Sequence, residues 1–278
     1  MLTVGPQIFP AAAAADCDRD CLRGFVTQYL NAMVAHNPKA LPVSDHLRFT
    51  ENTVEMGLGE GLWKTASTLQ TYRQDILDVR QGIAASQVVV EESGSAVLLM
   101  LRLKISDKKL TEVETQVTRS RAEGAIFAIE DLKEASKAMA FVPDRTQLAT
   151  RDEAIKIAEY YPAGLKVGSF VSVNAPFATD AYRIENGRYV AGPSATNAAS
   201  QNIKAQKIIA HPAITTRVVA VDEELGIVLL RMNFGDTGSY GPGNALIVWE
   251  AFKVYTGQIH AVEAFMRIMP AGTPSAWD

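Results

Sequence analysis

The first apolar pattern in the chain has the period of a helix. Its members recur at three- and four-residue steps and form one stripe: Leu22, Phe25, Val26, Tyr29, Leu30 and Met33. This spacing predicts a helix over about 17–36, capped by Asp16 or Asp18 and stopped by Pro38.

The stretch from Arg48 to Thr65, RFTENTVEMGLGEGLWKT, changes from a strand pattern to a loop punctuated by glycines. A second helix is predicted to begin at Thr65 and to end before Gly82, because apolar residues again recur at helical steps. Three or four strands are predicted to follow, at 87–90, 95–105, 110–119 and 125–132. The turn at 107–109 joins the middle two strands as a hairpin.

The second half repeats this order after a connector, 134–147, that has no clear periodicity. Thr150 and Glu153 form a capping box that opens a new helix, and Pro162 kinks or ends it. A short helix is predicted near 201–210. Four more strands are predicted at 216–221, 226–234, 245–255 and 258–268.

Short matches between the halves indicate an internal duplication. The pairs Glu51-Asn52 and Glu185-Asn186 each end the first acidic strand of their half. A repeated acidic strand end predicts equivalent places for the two glutamates in a duplicated domain.

Two strand matches support the same interpretation. LTEVETQV matches IHAVEAFM and aligns Glu114 with Glu263, and LLMLRL matches VLLRM and aligns Arg102 with Arg231. We therefore expect two tandem α+β domains, at 16–140 and 150–270.

Composition narrows the classes of partner. The formal net charge of -4 gives no cationic field, so nucleic acid is not an expected partner. No apolar run approaches the ~20 residues that cross a bilayer, so no membrane partner is expected. The start of the chain, 1–15, is expected to be a disordered or trimmed tail. A cytoplasmic location is expected, with a periplasmic one as the alternative if the alanine run at 11–15 ends an export signal.

Cys17 and Cys21 are the two cysteines of the chain and share one face of the predicted helix. A metal pair or a disulfide is conceivable, but no Cys or His lies nearby to complete a zinc site. The preferred interpretation is two reduced or loosely paired thiols, and no metal is expected.

The predicted order of helix, strand, helix and antiparallel meander resembles the nuclear transport factor 2-like superfamily. Its members include ketosteroid isomerase, scytalone dehydratase and the SnoaL-like polyketide cyclases. The resemblance implies cystatin-like α+β cones, in which a curved antiparallel sheet encloses an apolar pocket. The segments CDRDCLRGFVTQYLNAM, RFTENTVEMGLGEGLWKT and RLKISDKKLTEVETQV look like SnoaL-like domains of bacterial aromatic catabolism. Within that group they are similar to cofactor-independent diarylpropane and phenylcoumaran lyases of lignin breakdown.

The resemblance also implies a general base. In ketosteroid isomerase this carboxylate lies on the strand before the glycine-containing loop, and Glu51 and Glu185 fit that place here. Burial at the mouth of an apolar cone would raise the pKa of a carboxyl toward neutrality, which suits proton abstraction. A structural role in a turn is the alternative for both residues.

Four further acid–base candidates follow from residue type and position. Glu263 shares its strand face with apolar residues, where exposure to solvent is less natural. His46 precedes the first acidic strand, and His260 lies close to Glu263 in sequence. Tyr240 stands near the tip of the loop GDTGSYGPGN, a type of loop that supplies lids and substrate contacts.

Aromatic rings and two strand arginines are the candidates for substrate contact: Tyr29, Trp63, Tyr72, Tyr182, Trp249, Arg102 and Arg231. The rings would form stacking walls for a ring-bearing ligand, with core packing as the alternative for most of them. For each arginine, pairing with a buried carboxylate is the favoured alternative.

The resemblance predicts a cofactor-independent lyase that converts a lignin-derived diaryl-propanediol into a stilbene and formaldehyde. The alternatives are a dehydratase, isomerase or cyclase on another aromatic or polyketide-like ring, and a non-catalytic small-molecule binding domain. The sequence has no nucleotide-binding, metal-binding or nucleophile-elbow motif, so no cofactor is expected. Two tandem copies can pair internally as a pseudo-dimer, and a homodimer of the whole chain stays open.

Overall fold

The computed structural model describes residues 16–274 and 277, so the predicted tail at 1–15 lies outside the described residues. The described part of the first half contains one α-helix and six strands: α1 Arg19–Val34, β1 Val43–Glu51, β2 Val54–Glu55, β3 Ala66–Asp78, β4 Ile83–Glu92, β5 Ser95–Ser106 and β6 Lys109–Thr118. Two one-turn helices, α2 Arg121–Gly124 and α3 Lys137–Ala140, lie in the connection between the halves.

The second half repeats the arrangement of the first. Its elements are α4 Arg151–Val167, β7 Phe177–Glu185, β8 Arg188–Ala191, β9 Thr215–Asp222, β10 Ile227–Asn233, β11 Asn244–Tyr255 and β12 Gln258–Pro270. The predicted capping box is confirmed, because the Thr150 side chain accepts the Glu153 N–H and the Glu153 side chain accepts the Thr150 N–H.

Each half folds into a six-stranded mixed sheet with the same strand order, β2-β1-β6-β5-β4-β3 and β8-β7-β12-β11-β10-β9. The last four strands of each half form an antiparallel meander, and the first strand joins the last one in parallel. This identity of topology confirms the predicted duplication. It also confirms the predicted fold class, two tandem α+β cones with curved sheets, although each sheet contains one parallel pair.

The Glu-Asn pairs occupy equivalent places, as predicted. Asn52 and Asn186 both adopt the left-handed backbone conformation, with φ of 49° and 43°, which asparagine tolerates better than most residues. Their Oδ1 atoms accept backbone N–H groups of β6 and β12 at 2.9 and 2.8 Å. Glu51 and Glu185 therefore end equivalent strands on the same side of their sheets.

The alignment of Glu114 with Glu263 is confirmed, whereas that of Arg102 with Arg231 is wrong. Arg102 lies on β5 opposite Glu114, and the equivalent residue on β11 is Ala251, which lies opposite Glu263. Arg231 lies on β10, the counterpart of β4. Buried strands of Leu, Val and Met resemble one another too closely for a short apolar match to distinguish them.

The predicted second helix is wrong, because residues Ala66–Asp78 form the long strand β3. Two register shifts interrupt the pairing of β3 with β4. Both faces of β3 are apolar: Leu69 packs against the core of the first cone, whereas Tyr72 and Ile76 pack between the sheets. Taken together, the residues of the two faces follow three- and four-residue steps and imitate a helical pattern. The β-branched Thr68 and Thr71 favour the strand.

Two further elements were predicted wrongly. Segment 125–132 is not a strand: it crosses between the cones, and Ile126 packs against the second core whereas Phe127 packs between the sheets. Segment 201–210 is not a helix but a series of turns that place Ile203 and Ile208 against the second core. In both segments each apolar residue makes its own contact with a core, so the spacing of these residues does not reflect a regular helix or strand.

Within the described residues, the apolar core has three parts. One lies inside the first cone beneath α1, the second lies inside the second cone beneath α4, and the third lies between the sheets. Alternate residues of β5 contribute to different parts: Leu99 and Leu101 face α1, whereas Leu98 and Met100 face the other sheet. The sheets thus pack back to back within one chain, in the manner of an internal pseudo-dimer.

Cys17 and Cys21 are joined by a disulfide, with a Cα–Cα distance of 5.3 Å. The bond ties the residue before the Asp18 N-cap to the first turn of α1. The preferred interpretation of reduced or loosely paired thiols is therefore wrong. Among residues 16–274 and 277, no helix has both the length and the hydropathy needed to span a bilayer.

Candidate functional site

The interior of the second cone contains a cavity of about 280 Å³. Strands β7, β11 and β12, helix α4 and three connecting segments, around 125–126, 206–211 and 234–240, contribute to its wall. Its polar lining residues are Tyr161, Arg183, Glu185, Gln206, Lys207, His211, Tyr240 and Glu250. Of the residues predicted from sequence to belong to the site, Glu185 and Tyr240 line this cavity.

Glu250 is the carboxyl group buried most deeply in the cavity wall. It lies in the middle of β11, is 2% exposed, and points toward α4. Burial raises the pKa of Glu250 to about 8, and the neighbouring charge of Glu185 adds to the effect. A hydrogen bond from Tyr161 opposes this rise. Glu250 is therefore mostly protonated at neutral pH and can donate a proton.

Glu185 carries the second carboxyl group of the cavity and is held by Arg183, two residues earlier on the same face of β7. The Arg183 Nε atom lies 3.0 Å from Glu185 Oε1. The guanidinium also donates hydrogen bonds of 3.0 Å to the Tyr161 hydroxyl and of 3.0 Å to Gln206 Oε1. The ion pair fixes the orientation of the Glu185 carboxylate in the cavity wall.

The opposite part of the cavity is aromatic. The His211 ring stacks on Tyr240, with 5.9 Å between ring centroids, and meets the edge of Phe234 at 4.9 Å. Burial lowers the pKa of His211, so the imidazole is neutral at physiological pH. Burial also raises the pKa of Tyr240 to about 12, which keeps its hydroxyl protonated.

This arrangement brings a proton donor and a charged carboxylate to one cavity. Two carboxyl groups in unlike surroundings, one buried and one ion-paired, are the usual basis for assigning an acid and a base. Glu250 fits the role of the acid, and Glu185 fits that of the base. Tyr161 connects them, because its hydroxyl accepts from Arg183 and bonds Glu250.

The first cone, in contrast, is filled by side chains. Tyr29 and Trp63 are at most 1% exposed, and the Trp63 indole donates a 2.8 Å hydrogen bond to the Tyr29 hydroxyl. The positions of Arg183 and Glu250 are taken here by Phe49 and Leu101. Tyr29 and Trp63, the two predicted substrate contacts of this cone, thus pack against each other instead of lining a cavity.

Glu51 lies inside this filled cone and accepts the Leu62 backbone N–H at 2.9 Å. Burial raises the pKa of Glu51, although the Leu62 hydrogen bond and nearby Arg119 oppose the rise. A Cβ atom at Gly61 would stand 2.7 Å from the carboxylate, so the glycine loop closes directly over it.

Six of the predicted site residues lie between the two sheets rather than inside a cone: Tyr72, Tyr182, Trp249, Arg102, Arg231 and Glu263. The Tyr182 hydroxyl donates a 3.0 Å hydrogen bond to Glu263, whose pKa is raised by burial. Arg102 pairs with Glu112 at 2.8 Å, and Arg231 lies 3.8 Å from Glu114.

The two predicted histidines lie at the surface. His46 is exposed on β1. His260 stacks on Tyr255 at the hairpin between β11 and β12, with 3.5 Å between ring centroids, and bonds its carbonyl oxygen at 3.1 Å. Neither residue lines the second-cone cavity.

Residues 147–266 match the family model described as "Domain of unknown function (DUF8021)". This match spans the cavity-bearing second half and covers less than half of the chain. No curated protein matches the sequence.

Solved structures that match include a de novo designed protein with a curved β-sheet, at 16% identity and a TM-score of 0.32. Another is an NTF2-like protein of unknown function from Cytophaga hutchinsonii, at 10% identity and a TM-score of 0.28. Each match covers 36% of this chain, with 88% and 90% of the other chain respectively.

Six polar residues of the cavity were missed by sequence reasoning: Tyr161, Arg183, Gln206, Lys207, His211 and Glu250. Two of them left a usable signal. Glu250 interrupts the apolar run ALIVWEAFKVY, where an acid is costly to bury. Arg183 shares its strand face with Glu185, so alternation alone places them side by side. His211 carries no comparable signal, because its role depends on a loop.

Among the described residues, no group of three or more His, Cys, Asp or Glu side chains is arranged to hold a metal ion.

Proposed function

We propose that the second cone is the active site of a cofactor-independent acid–base enzyme that acts on a small hydroxylated ring compound. The observation that carries the proposal is the presence of Glu185 and Glu250 on one cavity. Glu250 is buried and mostly protonated at neutral pH, whereas Glu185 is ion-paired with Arg183. Isomerisation, dehydration and retro-aldol cleavage all need such an acid and base.

For a diaryl-propanediol substrate, the two groups have defined tasks. Glu185 removes the proton of the γ-hydroxyl, and the oxygen electron pair forms the carbonyl of formaldehyde. The electrons of the Cβ–Cγ bond then form the Cα–Cβ double bond of the stilbene. Glu250 gives its proton to the α-hydroxyl, which leaves as water, so one proton is taken up and one is released.

The size of the cavity favours a second candidate reaction, on a single ring. A volume of about 280 Å³ lies at the lower end of the roughly 300–1,000 Å³ typical of ligand sites. A monocyclic substrate fits this space directly, whereas two aryl groups require displacement of the loop at 235–244. A dehydratase or isomerase acting on one ring uses the same acid and base.

The alternative of a non-catalytic binding domain is less well supported. A simple binding cavity gains nothing from a buried carboxyl group, because burial of an ionisable group costs free energy. Glu250 has both a raised pKa and a hydrogen-bonding neighbour, Tyr161. Such perturbed groups in cavities are enriched at catalytic sites.

The test is turnover without added cofactor. In one assay the purified protein is incubated with a diaryl-propanediol, and the product is detected by stilbene absorbance and formaldehyde release. In the other it is incubated with monocyclic β-hydroxy ketones, and the product is detected by enone absorbance. We expect product in at least one assay. Glu185→Gln and Glu250→Gln should each lower kcat by about 10²–10⁴-fold, because each removes one acid–base group.

Glu51→Gln, at the equivalent position of the filled cone, is the matched control and should leave kcat unchanged. Absence of product in every assay would count against an enzymatic role. Loss of turnover in Glu51→Gln, with turnover retained in Glu185→Gln, would place the chemistry in the other cone.

A further inference from the structure

We infer that His211 positions the substrate in the second cone, and that its Nδ1 atom hydrogen-bonds a hydroxyl group of an uncharged ring compound. The inference deepens the proposed function, on which it rests for the use of the cavity. It names a polar contact that the acid–base pair does not supply.

The first observation is a buried atom that has no protein partner. His211 is 6% exposed and lines the cavity, and its Nδ1 atom makes no hydrogen bond within the described part of the chain. Buried polar atoms in native proteins almost always have a partner. A ligand hydroxyl in the cavity provides one.

The second observation is that the ring is held in place without using that atom. The His211 backbone N–H donates a 2.8 Å hydrogen bond to the carbonyl of Leu165 on α4. Phe234 and Tyr240 hold the imidazole by ring contacts at 4.9 and 5.9 Å. The imidazole is therefore fixed by its backbone and by aromatic packing, which leaves Nδ1 for a ligand.

The chemistry of the wall defines the class of ligand. In a neutral imidazole one nitrogen donates and the other accepts a hydrogen bond. A hydroxyl can do either, so it suits both tautomers of His211. The aromatic faces of Phe234 and Tyr240 favour a ring beside that hydroxyl.

The charges of the cavity favour a ligand without net charge. Arg183 balances Glu185, and Glu250 is mostly uncharged at neutral pH. Lys207 is exposed to solvent at the cavity wall, where its charge is screened. A carboxylate ligand would thus lose its hydration on entering the cavity, and no unpaired buried cation would be there to form an ion pair with it.

The test measures binding rather than turnover, with 4-hydroxyacetophenone and acetophenone as a matched pair of probes. By calorimetry, the wild-type protein should bind the hydroxylated ketone roughly 3- to 10-fold more tightly, the ratio expected for one neutral hydrogen bond. His211→Asn should keep this ratio, because its amide reaches the position of Nδ1. His211→Gln should lose it, because its longer amide reaches the position of Nε2.

Three outcomes overturn the inference: equal ratios in His211→Gln and the wild type, tighter binding of 4-hydroxybenzoate than of the hydroxylated ketone, and no binding of either ketone. The result is independent of catalysis. If the hydroxyl preference follows His211 but Glu250→Gln has no effect on any turnover, the proposed function fails and the assignment of His211 stands. If turnover depends on Glu250 but the preference for the hydroxylated ketone is unchanged by substitution of His211, the assignment of His211 fails and the proposed function stands.

Discussion

Arg19, the first residue of α1, donates two hydrogen bonds to the carboxylate of Asp222 at the end of β9, at 2.7 and 2.9 Å. Arg151, the first residue of α4, makes the same contact with Asp78 at the end of β3, at 3.0 and 2.6 Å. Each aspartate also accepts a backbone N–H from the edge strand of the other cone. Each helix start is thus tied across the pseudo-twofold axis to the opposite cone.

Removal of one partner from this contact should be costly. Asp222→Ala leaves Arg19, whose side chain is 16% exposed, without its carboxylate, and frees a buried backbone N–H of Leu77. We expect a loss of about 3–5 kcal/mol in the free energy of unfolding, measured with urea. Arg23→Ala, which breaks the exposed pair Arg23–Asp20, is the control and should cost less than about 1 kcal/mol. Similar losses in both variants would contradict a special role for the reciprocal contact.

Because side chains fill the first cone, substitutions in its core should lower the free energy of unfolding. Trp63→Ala removes a ring that is 1% exposed and leaves the Tyr29 hydroxyl without its donor. The expected loss is about 3–5 kcal/mol, as for other buried large-to-small substitutions. Tyr29→Phe, which removes the hydroxyl alone, should cost about 1–3 kcal/mol because the indole N–H then lacks a partner. A Trp63→Ala protein with wild-type stability would show that this cone is not packed as described.

The disulfide between Cys17 and Cys21 can be tested by chemistry and by unfolding. Thiol titration of the denatured, unreduced protein should find no free thiol, because the two cysteines of the chain pair with each other. Replacement of both cysteines by serine should lower the free energy of unfolding by about 2 kcal/mol, given the short loop that the bond closes. Two free thiols in protein isolated from an oxidising compartment would refute the pairing.

Lys253 gives the protein a distinct response to alkaline pH. Its side chain is fully buried on β11, and its Nζ atom donates to the carbonyls of Met139, Phe141 and Leu225. Burial lowers the pKa of Lys253 to about 8, against 10.5 for the ordinary group. Between these pH values the unfolded chain binds more protons than the folded one, so this residue makes stability rise with pH.

Urea unfolding between pH 8 and 10.5 measures this contribution of Lys253. Lys253→Met should remove the rise. Lys104→Met, at the equivalent but partly exposed position of β5, should preserve it. The same pH profile in wild type and Lys253→Met would show that another group is responsible.

Sequence reasoning identified the duplication because it rests on residues with a local task. Glu-Asn at the end of β1 and β7 recurs because asparagine turns the chain and bonds the next strand. The meander strands were also predicted, since their apolar runs are continuous. Strand β3 was missed because apolar residues on its two opposite faces, Leu69 on one and Tyr72 and Ile76 on the other, together follow a helical spacing.

The site was harder to predict because strand alternation separates the two faces of a strand but does not identify which face lines the interior of a cone. Glu263 and Glu185 are both acids on strands, but Glu263 faces the other sheet and Glu185 faces the cavity. The emptiness of the second cone is likewise not local. Trp63 fills the first cone, and its absence from the wall of the second-cone cavity cannot be read from a local pattern.

The most direct test of the account is the titration of Glu250 itself. Infrared difference spectra between wild type and Glu250→Gln isolate the carboxyl stretch of this residue as the pH is raised. We predict a protonated carboxyl group at neutral pH that loses its proton with a midpoint near 8. Because the folded pKa lies above the ordinary 4.5, stability should fall as pH rises between these values, and Glu250→Gln should remove that fall. A midpoint near 4.5, with the same stability profile in both proteins, would contradict the assignment of Glu250 as the acid of the second cone.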